Sequence, residues 1–256
     1  CDSGFYEGPW PNHGKNTTCH EVSCGKPAQG INGWKQPAHS KCPDQEYLYE
    51  DTLSCSCETG YTTDTLGSHS KGLSFEVDCM SHTKGSEKGI FEVAPTCRPV
   101  SCGVAKAMTA ASASPAVGKE ITFQQKVTYT CETGHSTTGS CSNAADNLGY
   151  VLDCDSNGSL NFAKAHVVCT PVMTPVLSKS TLEGLHIQRP FDAPIAYGAK
   201  AMVYCVPGHS RDGKAVNDNN IKFSGEAQAD CTFKASPDLK CHPVECGKPP
   251  AVANAQ

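Results

Sequence analysis

The chain has 256 residues, 17 of them cysteine, with a formal net charge of -5 and a pI near 6.0; 38% of the residues are hydrophobic and 7% aromatic. So many thiols and so few aromatic residues argue against one large cytosolic core. They favour a disulfide framework formed in an oxidising compartment, in a secreted or cell-surface protein. Because Lys and Arg are scattered, the sequence offers no basic stripe for nucleic acid, heparin or anionic lipid.

The first residue is Cys1, and no apolar run approaches the roughly 18 to 20 residues of a membrane span. We therefore expect a mature or internal piece of a longer protein, without direct membrane insertion in this segment.

A cysteine frame recurs along the chain: "CHEVSCGKP" from Cys19, "CRPVSCGVA" from Cys97 and "CHPVECGKP" from Cys241. In "CTPVMTP" from Cys169 the frame is kept, but Thr174 stands where the second cysteine is expected. Cys24, Cys102, Thr174 and Cys246 follow one another at intervals of 78, 72 and 72 residues. This period predicts repeats at 24–97, 102–169 and 174–241, here called repeats A, B and C, flanked by partial repeats at 1–19 and 246–256.

Two further signatures recur within each repeat. One is "LSCSCETGY" around Cys57, "VTYTCETGH" around Cys131 and "MVYCVPGHS" around Cys205; the other is "FEVDC", "YVLDC" and "AQADC", which end at Cys79, Cys154 and Cys231. In "KVTYTC" the apolar residues alternate with polar ones, as in a half-buried strand. No convincing helical stripe is present, so the sequence predicts an all-β protein of short strands.

These features resemble the sushi family, also called complement control protein modules or short consensus repeats. The resemblance rests on "CGKP" at Cys24 and Cys246, on "YTCETGH" at Cys131, on the "C-x-P-V-x-C-G" linkers, and on a bulky residue between the third and fourth cysteines (Trp10, Phe91, Phe162). It covers essentially the whole chain. It implies an all-β fold of tandem small disulfide-rich modules arranged end to end as an elongated rod.

The resemblance also implies that the first cysteine of a module pairs with the third and the second with the fourth. The implied pairs are Cys24 with Cys79, Cys57 with Cys97, Cys102 with Cys154, Cys131 with Cys169, and Cys205 with Cys241. Cys42 and Cys55 are extra, and a third bridge between them is the simplest interpretation. A metal site of Cys55, Cys57 and a histidine is the alternative, but a second closely spaced ligand pair is missing.

Five cysteines remain. Cys1 and Cys19 match the third and fourth cysteines of a module and Cys246 the first, so we expect their partners outside the chain; a Cys1–Cys19 bond is the alternative. Cys231 is expected to be left without a partner by Thr174, and Cys141 is surplus in a loop of repeat B. We expect a Cys141–Cys231 bridge across the joint between repeats B and C, a bridge between neighbouring chains, or two free thiols.

The sequence gives no sign of catalysis or of a cofactor, since G-x-S-x-G, H-E-x-x-H and C-x-x-C are absent. His135 and His209 replace Tyr61 in a turn and are expected to be half-buried there. The oxygen-rich stretch 211–220 lacks a calcium-loop pattern and is expected to be a solvated loop. Asn16 in "NTT" and Asn157 in "NGS" are sequons, so N-linked glycans are expected partners.

Three functions fit this organisation. The favoured one is an extracellular structural or adhesive protein, a stalk, surface-coat or filament component that acts through protein–protein contacts, including contacts with copies of itself. A soluble or membrane-tethered recognition protein of the complement-regulator type is the alternative, but the concentrated charged or aromatic surface it needs is not evident. The third is an enzyme whose catalytic domain lies outside this chain.

Overall fold

The computed structural model describes residues 1–7, 19–30, 33–67, 70–81, 88–141, 147–162, 168–188, 193–235 and 239–247. The chain forms two compact units. The first contains Cys1–Lys106, Pro115–Val127 and Leu152–Ala163, and the second contains Ala107–Ser114, Thr128–Val151 and Lys164–Gln256. Repeat B is therefore divided between the units. Trp10 and the sequon at Asn16 lie outside the described residues.

The described residues form short strands, as predicted, so the all-β class is confirmed. The strands up to the end of repeat A are β1 Phe5–Glu7, β2 Cys19–Glu21, β3 Ser23–Gly25, β4 Ser40–Lys41, β5 Tyr47–Leu48, β6 Thr52–Cys57, β7 Tyr61–Thr62, β8 Ser74–Ser81 and β9 Gly89–Phe91. The next are β10 Arg98–Pro99, β11 Ser101–Val104, β12 Ala111–Ser114, β13 Glu120–Thr122, β14 Lys126–Cys131, β15 His135–Ser136, β16 Gly149–Cys154 and β17 Leu160–Phe162. The last are β18 Thr170–Pro171, β19 Met173–Thr174, β20 Ile195–Ala196, β21 Lys200–Tyr204, β22 His209–Ser210, β23 Lys222–Ala227, β24 Phe233–Ala235 and β25 His242–Pro243.

In the first unit, repeat A contains an antiparallel sheet in the order β4-β6-β8-β9. Leu53 pairs with Val77 and Cys55 with Phe75, and all four are buried because alternate residues of a strand face one side of the sheet. Their core also contains Trp34, Tyr47 and Phe91 together with the bridged cysteines. The short two-stranded ladders β1-β2, β3-β5, β7-β10 and β11-β13 also lie in this unit.

Repeat B contributes strand pairs to both units. In the second unit, β12 pairs with β14, which buries Tyr129 against Tyr150 with 5.0 Å between the ring centroids. In the first unit, β16 pairs with β17 from Leu152 to Cys154. The Oη of Tyr150 is buried with no hydrogen-bond partner in the part of the chain that the structure describes, and burial raises the pKa of this phenol.

Repeat C contains an α-helix, α1 (Lys179–Leu185), which corrects the expectation that no helix is present. The Oγ of Ser178 accepts a hydrogen bond from the N–H of Thr181, and His186 ends the helix in a left-handed conformation. Leu182 packs into the core beside the sheet β21-β23-β24. Seven residues make barely two turns, too few for a periodic apolar stripe to show in the sequence.

Candidate functional site

The linkers between repeats form one recurring contact. The linker valines are almost completely buried: Val22 is 1% exposed, Val100 1% and Val172 3%. Each accepts a hydrogen bond from the backbone N–H of an aromatic residue that follows it and donates one to the carbonyl of a glycine that precedes it. The sets are Gly4, Val22 and Tyr49; Gly60, Val100 and Phe123 (the A–B joint); and Gly134, Val172 and Tyr197 (the B–C joint), with N···O distances of 2.8 to 2.9 Å.

The aromatic ring of each set lies directly on the glycine. All three glycines have positive φ, +85°, +83° and +78°, and a Cβ built on any of them would overlap the ring of Tyr49, Phe123 or Tyr197. The residue after the glycine adds an edge-to-face contact: Tyr61 to Phe123 at 5.8 Å, and His135 to Tyr197 at 6.0 Å. Each joint is therefore a specific packing contact rather than a loose tether.

Gly208 provides a matched comparison. Its carbonyl accepts from Val244 at 2.9 Å and its φ is +80°, but no described atom lies within 4 Å of the position that its Cβ would occupy. We expect Gly134→Ala to lower the free energy of unfolding by about 1–3 kcal/mol more than Gly208→Ala, because the two substitutions share the left-handed strain and differ in the overlap with Tyr197. Urea unfolding of both variants measures this difference. Equal destabilisation would show that the ring moves away at no cost.

Both histidines are half-buried, but only His135 lies at one of these joints. His135 contacts Tyr197 as described, whereas His209 stacks on His186 with 4.5 Å between the centroids.

Within the loop 211–220, the Oδ1 of Asp212 accepts from the N–H of Lys214, the Oγ of Ser210 and the Nδ2 of Asn220. The backbone hydrogen bond from Lys214 is the largest cause that lowers the pKa of Asp212. This carboxylate therefore serves to order its own loop.

Seven disulfides lie within single repeats or the N-terminal partial repeat. The Cα–Cα distances are 5.6 Å for Cys1–Cys19, 5.9 Å for Cys24–Cys79, 4.4 Å for Cys42–Cys55, 5.7 Å for Cys57–Cys97, 5.7 Å for Cys102–Cys154, 5.4 Å for Cys131–Cys169 and 5.7 Å for Cys205–Cys241. Because Cys55 and Cys57 are both oxidised, the alternative metal site that would use them is not formed. No group of three metal-binding side chains occurs among the described residues.

The Cys1–Cys19 bond corrects the expectation that both residues have partners outside the chain. "CDSG" at Cys1 matches "CETG" at Cys57 and Cys131, so Cys1 occupies the position of a second cysteine rather than a third. Strand β1 pairs with β2 after Cys19 as β7 pairs with β10 after Cys97. The C-x-x-G turn was visible in the sequence and identifies this position. Cys246 is exposed and unpaired within the described residues, so its outside partner stays a prediction.

Thr174 occupies the position of Cys24 and Cys102. Met173 pairs with Ala196 as Ser23 pairs with Leu48, so Thr174 follows Met173 where Cys24 follows Ser23. Thr174 is 1% exposed. Its Oγ1 is buried without a hydrogen-bond partner among the described residues. Repeat C therefore has a buried hydroxyl where the other repeats have a disulfide.

The position of the second cysteine of this missing bridge is occupied by Ala227, not by Cys231. This corrects the expectation that Thr174 left Cys231 without its partner. Ala227 pairs with Phe233 as Cys154 pairs with Leu160, each three residues before the centre of its hairpin. The backbone of Ala227 exchanges hydrogen bonds with Gly198 and Ala199 as that of Cys154 does with Gln124 and Gln125. Both cysteines of this bridge are thus replaced in repeat C.

Cys231 occupies instead the position of Gly158 in the hairpin turn. The Cys231 N–H donates to the carbonyl of Gln228, as the Gly158 N–H donates to that of Asp155. Both residues have positive φ, +61° for Cys231 and +81° for Gly158. Cysteine in this conformation is strained relative to glycine, by roughly 1–2 kcal/mol.

Cys141 occupies in turn the position of Gly67. The N–H of Met173 donates to the carbonyl of Gly139 at 2.9 Å, and Cys141 follows Gly139 by two residues. In the same way the N–H of Ser101 donates to the carbonyl of Thr65 at 2.9 Å, and Gly67 follows Thr65 by two residues. At the A–B joint, the backbones of Gly67 and Gly158 approach so closely that a Cβ on Gly158 would lie 3.5 Å from the Cα of Gly67. At the B–C joint, the corresponding residues are Cys141 and Cys231, and they are joined by a disulfide with a Cα–Cα distance of 5.9 Å.

Comparison with known proteins gives distant similarities. The chain is similar to "Sushi, von Willebrand factor type A, EGF and pentraxin domain-containing protein 1" of Mus musculus and of Rattus norvegicus, with 23% identity over 257 residues in each case. The similarity covers 96% of this chain and 6% of each relative, so the chain spans a small part of their length. No family model matches the chain. Among the described residues, no helix has both the length and the apolarity to cross a membrane.

Proposed function

We propose that repeats A, B and C, at 24–97, 102–169 and 174–241, are sushi-type modules joined end to end as an elongated extracellular rod. Residues 1–19 and 246–256 belong to further modules of the same kind. The rod serves as a structural or adhesive component of a stalk, surface coat or filament and acts through contacts with other proteins, including copies of itself. It has no catalytic role.

The disulfide between Cys141 and Cys231 is the observation that supports this function most. The B–C joint already has the backbone hydrogen bonds of Val172 and Met173 and an aromatic ring packed on a glycine. A covalent bond across this contact restricts bending between modules, which favours a role that bears load or holds distances. A recognition protein needs a binding surface but has no comparable need for a cross-linked joint.

Two further observations support the extracellular setting. Eight disulfides in one chain require an oxidising compartment, and small domains linked by disulfides are typical of secreted and cell-surface proteins. The distant relatives carry sushi domains by name, together with von Willebrand factor type A, EGF and pentraxin domains.

Assembly of the secreted, non-reduced protein tests the proposal. We expect negative-stain electron microscopy and sedimentation velocity to show fibres, sheets or large oligomers that grow with protein concentration. The matched control is Cys141→Gly/Cys231→Gly, which removes the cross-link at the B–C joint and gives this joint the same glycine pair as the A–B joint. This variant is expected to give less regular assemblies. Single monomeric particles at every concentration would contradict the assembly role.

A further inference from the structure

The sequon Asn157-Gly158-Ser159 lies in an ordered turn between β16 and β17. One carboxylate organises this turn: the Oδ1 of Asp155 accepts from the N–H of Asn157 at 2.9 Å and from that of Ser159 at 3.0 Å. The side chain of Asn157 is exposed, and its amide has no hydrogen-bond partner among the described residues. The turn therefore presents a free amide in a fixed position.

This turn is part of the A–B joint. A Cβ on Gly67 of repeat A would overlap the carbonyl of Asn157, and a Cβ on Gly158 would lie 3.2 Å from both the carbonyl oxygen of Ser101 and the Cγ1 of Val100. Asn157 of repeat B therefore touches the loop of repeat A that ends at Gly67. Any group attached to Asn157 emerges beside that loop.

An exposed aliphatic side chain lies next to this contact. Leu66 precedes Gly67 and is 61% exposed. Its backbone is held on both sides, since its N–H donates to the Oδ1 of Asp64 and its carbonyl accepts from the Oγ1 of Thr62. The backbone of Leu66 is therefore held in place, and its side chain faces solvent one residue before the contact of Gly67 with Asn157.

The B–C joint has different residues at all the equivalent positions. Cys231 replaces Gly158 and Cys141 replaces Gly67, and these two are bonded. Asp230 replaces Asn157, which removes the sequon, and the exposed polar Ser140 replaces Leu66. One joint thus has a disulfide and no sequon, and the other has a sequon beside an exposed leucine and no disulfide.

We propose that Asn157 carries an N-linked glycan whose first sugars cover Leu66 and brace the A–B joint. In the transfer step, the Nδ2 of Asn157 attacks C1 of the first N-acetylglucosamine of a lipid-pyrophosphate-linked oligosaccharide. The N–C1 bond forms, the bond from C1 to the pyrophosphate oxygen breaks, and the amide loses one proton as the lipid pyrophosphate leaves. The C–H face and the acetyl methyl group of this sugar then provide an apolar surface for Leu66.

The modification is tested on protein secreted from cells that glycosylate asparagine. Enzymatic deglycosylation in 18O-water should leave labelled aspartate at position 157 in the wild type and in Ser159→Thr, which keeps the sequon. Ser159→Ala should leave Asn157 unmodified. An unmodified Asn157 in the wild-type protein overturns the proposal.

The bracing role is tested by hydrogen exchange at the amide of Ser101, which donates to Thr65 across the A–B joint. We expect Ser159→Ala to raise its exchange rate severalfold, and to have no further effect in a Leu66→Ser background. The amide of Met173, which makes the equivalent bond to Gly139 at the B–C joint, is the internal control and should not change. An unchanged Ser101 rate, or an equal effect of Ser159→Ala in both backgrounds, overturns the brace. Because these measurements need only the monomer, they are independent of whether the chain assembles.

Discussion

Replacing Thr174 and Ala227 together by cysteine is expected to create a ninth disulfide and to stabilise repeat C by about 4 kcal/mol. The two residues occupy the positions that Cys102 and Cys154 hold in repeat B, where the Cα–Cα distance is 5.7 Å. Thr174 is 1% exposed and Ala227 0%, so the new sulfurs would be shielded from solvent. The gain comes mainly from the restricted unfolded chain, because the bond closes a loop of about 50 residues.

Urea unfolding and non-reducing peptide mapping check this result. Thr174→Val is the matched control, since it removes the buried Oγ1 that has no partner and adds no cross-link. We expect this single change to stabilise by about 1 kcal/mol. A double variant that forms the bond but is no more stable than Thr174→Val would show that repeat C has already relaxed around the loss of its bridge.

Removing the bond between repeats B and C is the second large effect. Cys141→Gly/Cys231→Gly reproduces at the B–C joint the glycine pair found at the A–B joint. We expect the free energy of unfolding to fall by about 2–4 kcal/mol, because the bond closes a loop of 90 residues. The backbone hydrogen bonds of Gly134, Val172 and Tyr197 do not involve the disulfide, so the fold is expected to survive.

Cys141→Ser/Cys231→Ser separates the cross-link from the backbone strain. Serine at position 231 keeps a side chain at a φ of +61°, whereas glycine removes this strain. The serine pair should therefore be less stable than the glycine pair by roughly 1–2 kcal/mol. Identical unfolding midpoints for both pairs and the wild type would show that the bond contributes nothing to stability and would weaken the proposed structural role.

The sequence predicted the strands well because their signals are local. Alternation in "KVTYTC" places β14 without any knowledge of long-range contacts, whereas the boundaries of the repeats stay a prediction. The helix α1 was missed because seven residues give no periodic pattern. The aromatic contacts at the joints were missed for another reason: Gly60 and Phe123 lie far apart in the sequence, and the C-x-x-G turn that marks Gly60 does not tell which ring packs on it.

The register of Cys231 shows a limit of comparing cysteines with cysteines. "AQADC" matches "YVLDC" in its last two letters, but the hairpin places Ala227 where Cys154 stands. When both members of a bridge are lost together, the sequence keeps no trace of the position, and a nearby cysteine is taken for the missing one. The turn hydrogen bonds of Gln228 distinguish the two positions, and they appear only in the folded chain.

The exchange of Gly67 and Gly158 for Cys141 and Cys231 has a consequence for how such chains diversify. The glycine codons GGU and GGC become cysteine codons by a single base change, and the two backbones at the joint are already in contact. Two point mutations, in either order, are therefore enough to gain or lose a covalent link between neighbouring repeats without insertion, deletion or rearrangement. A lineage that duplicates this repeat can adjust the stiffness of each joint separately, by mutation alone, while the fold on either side stays the same.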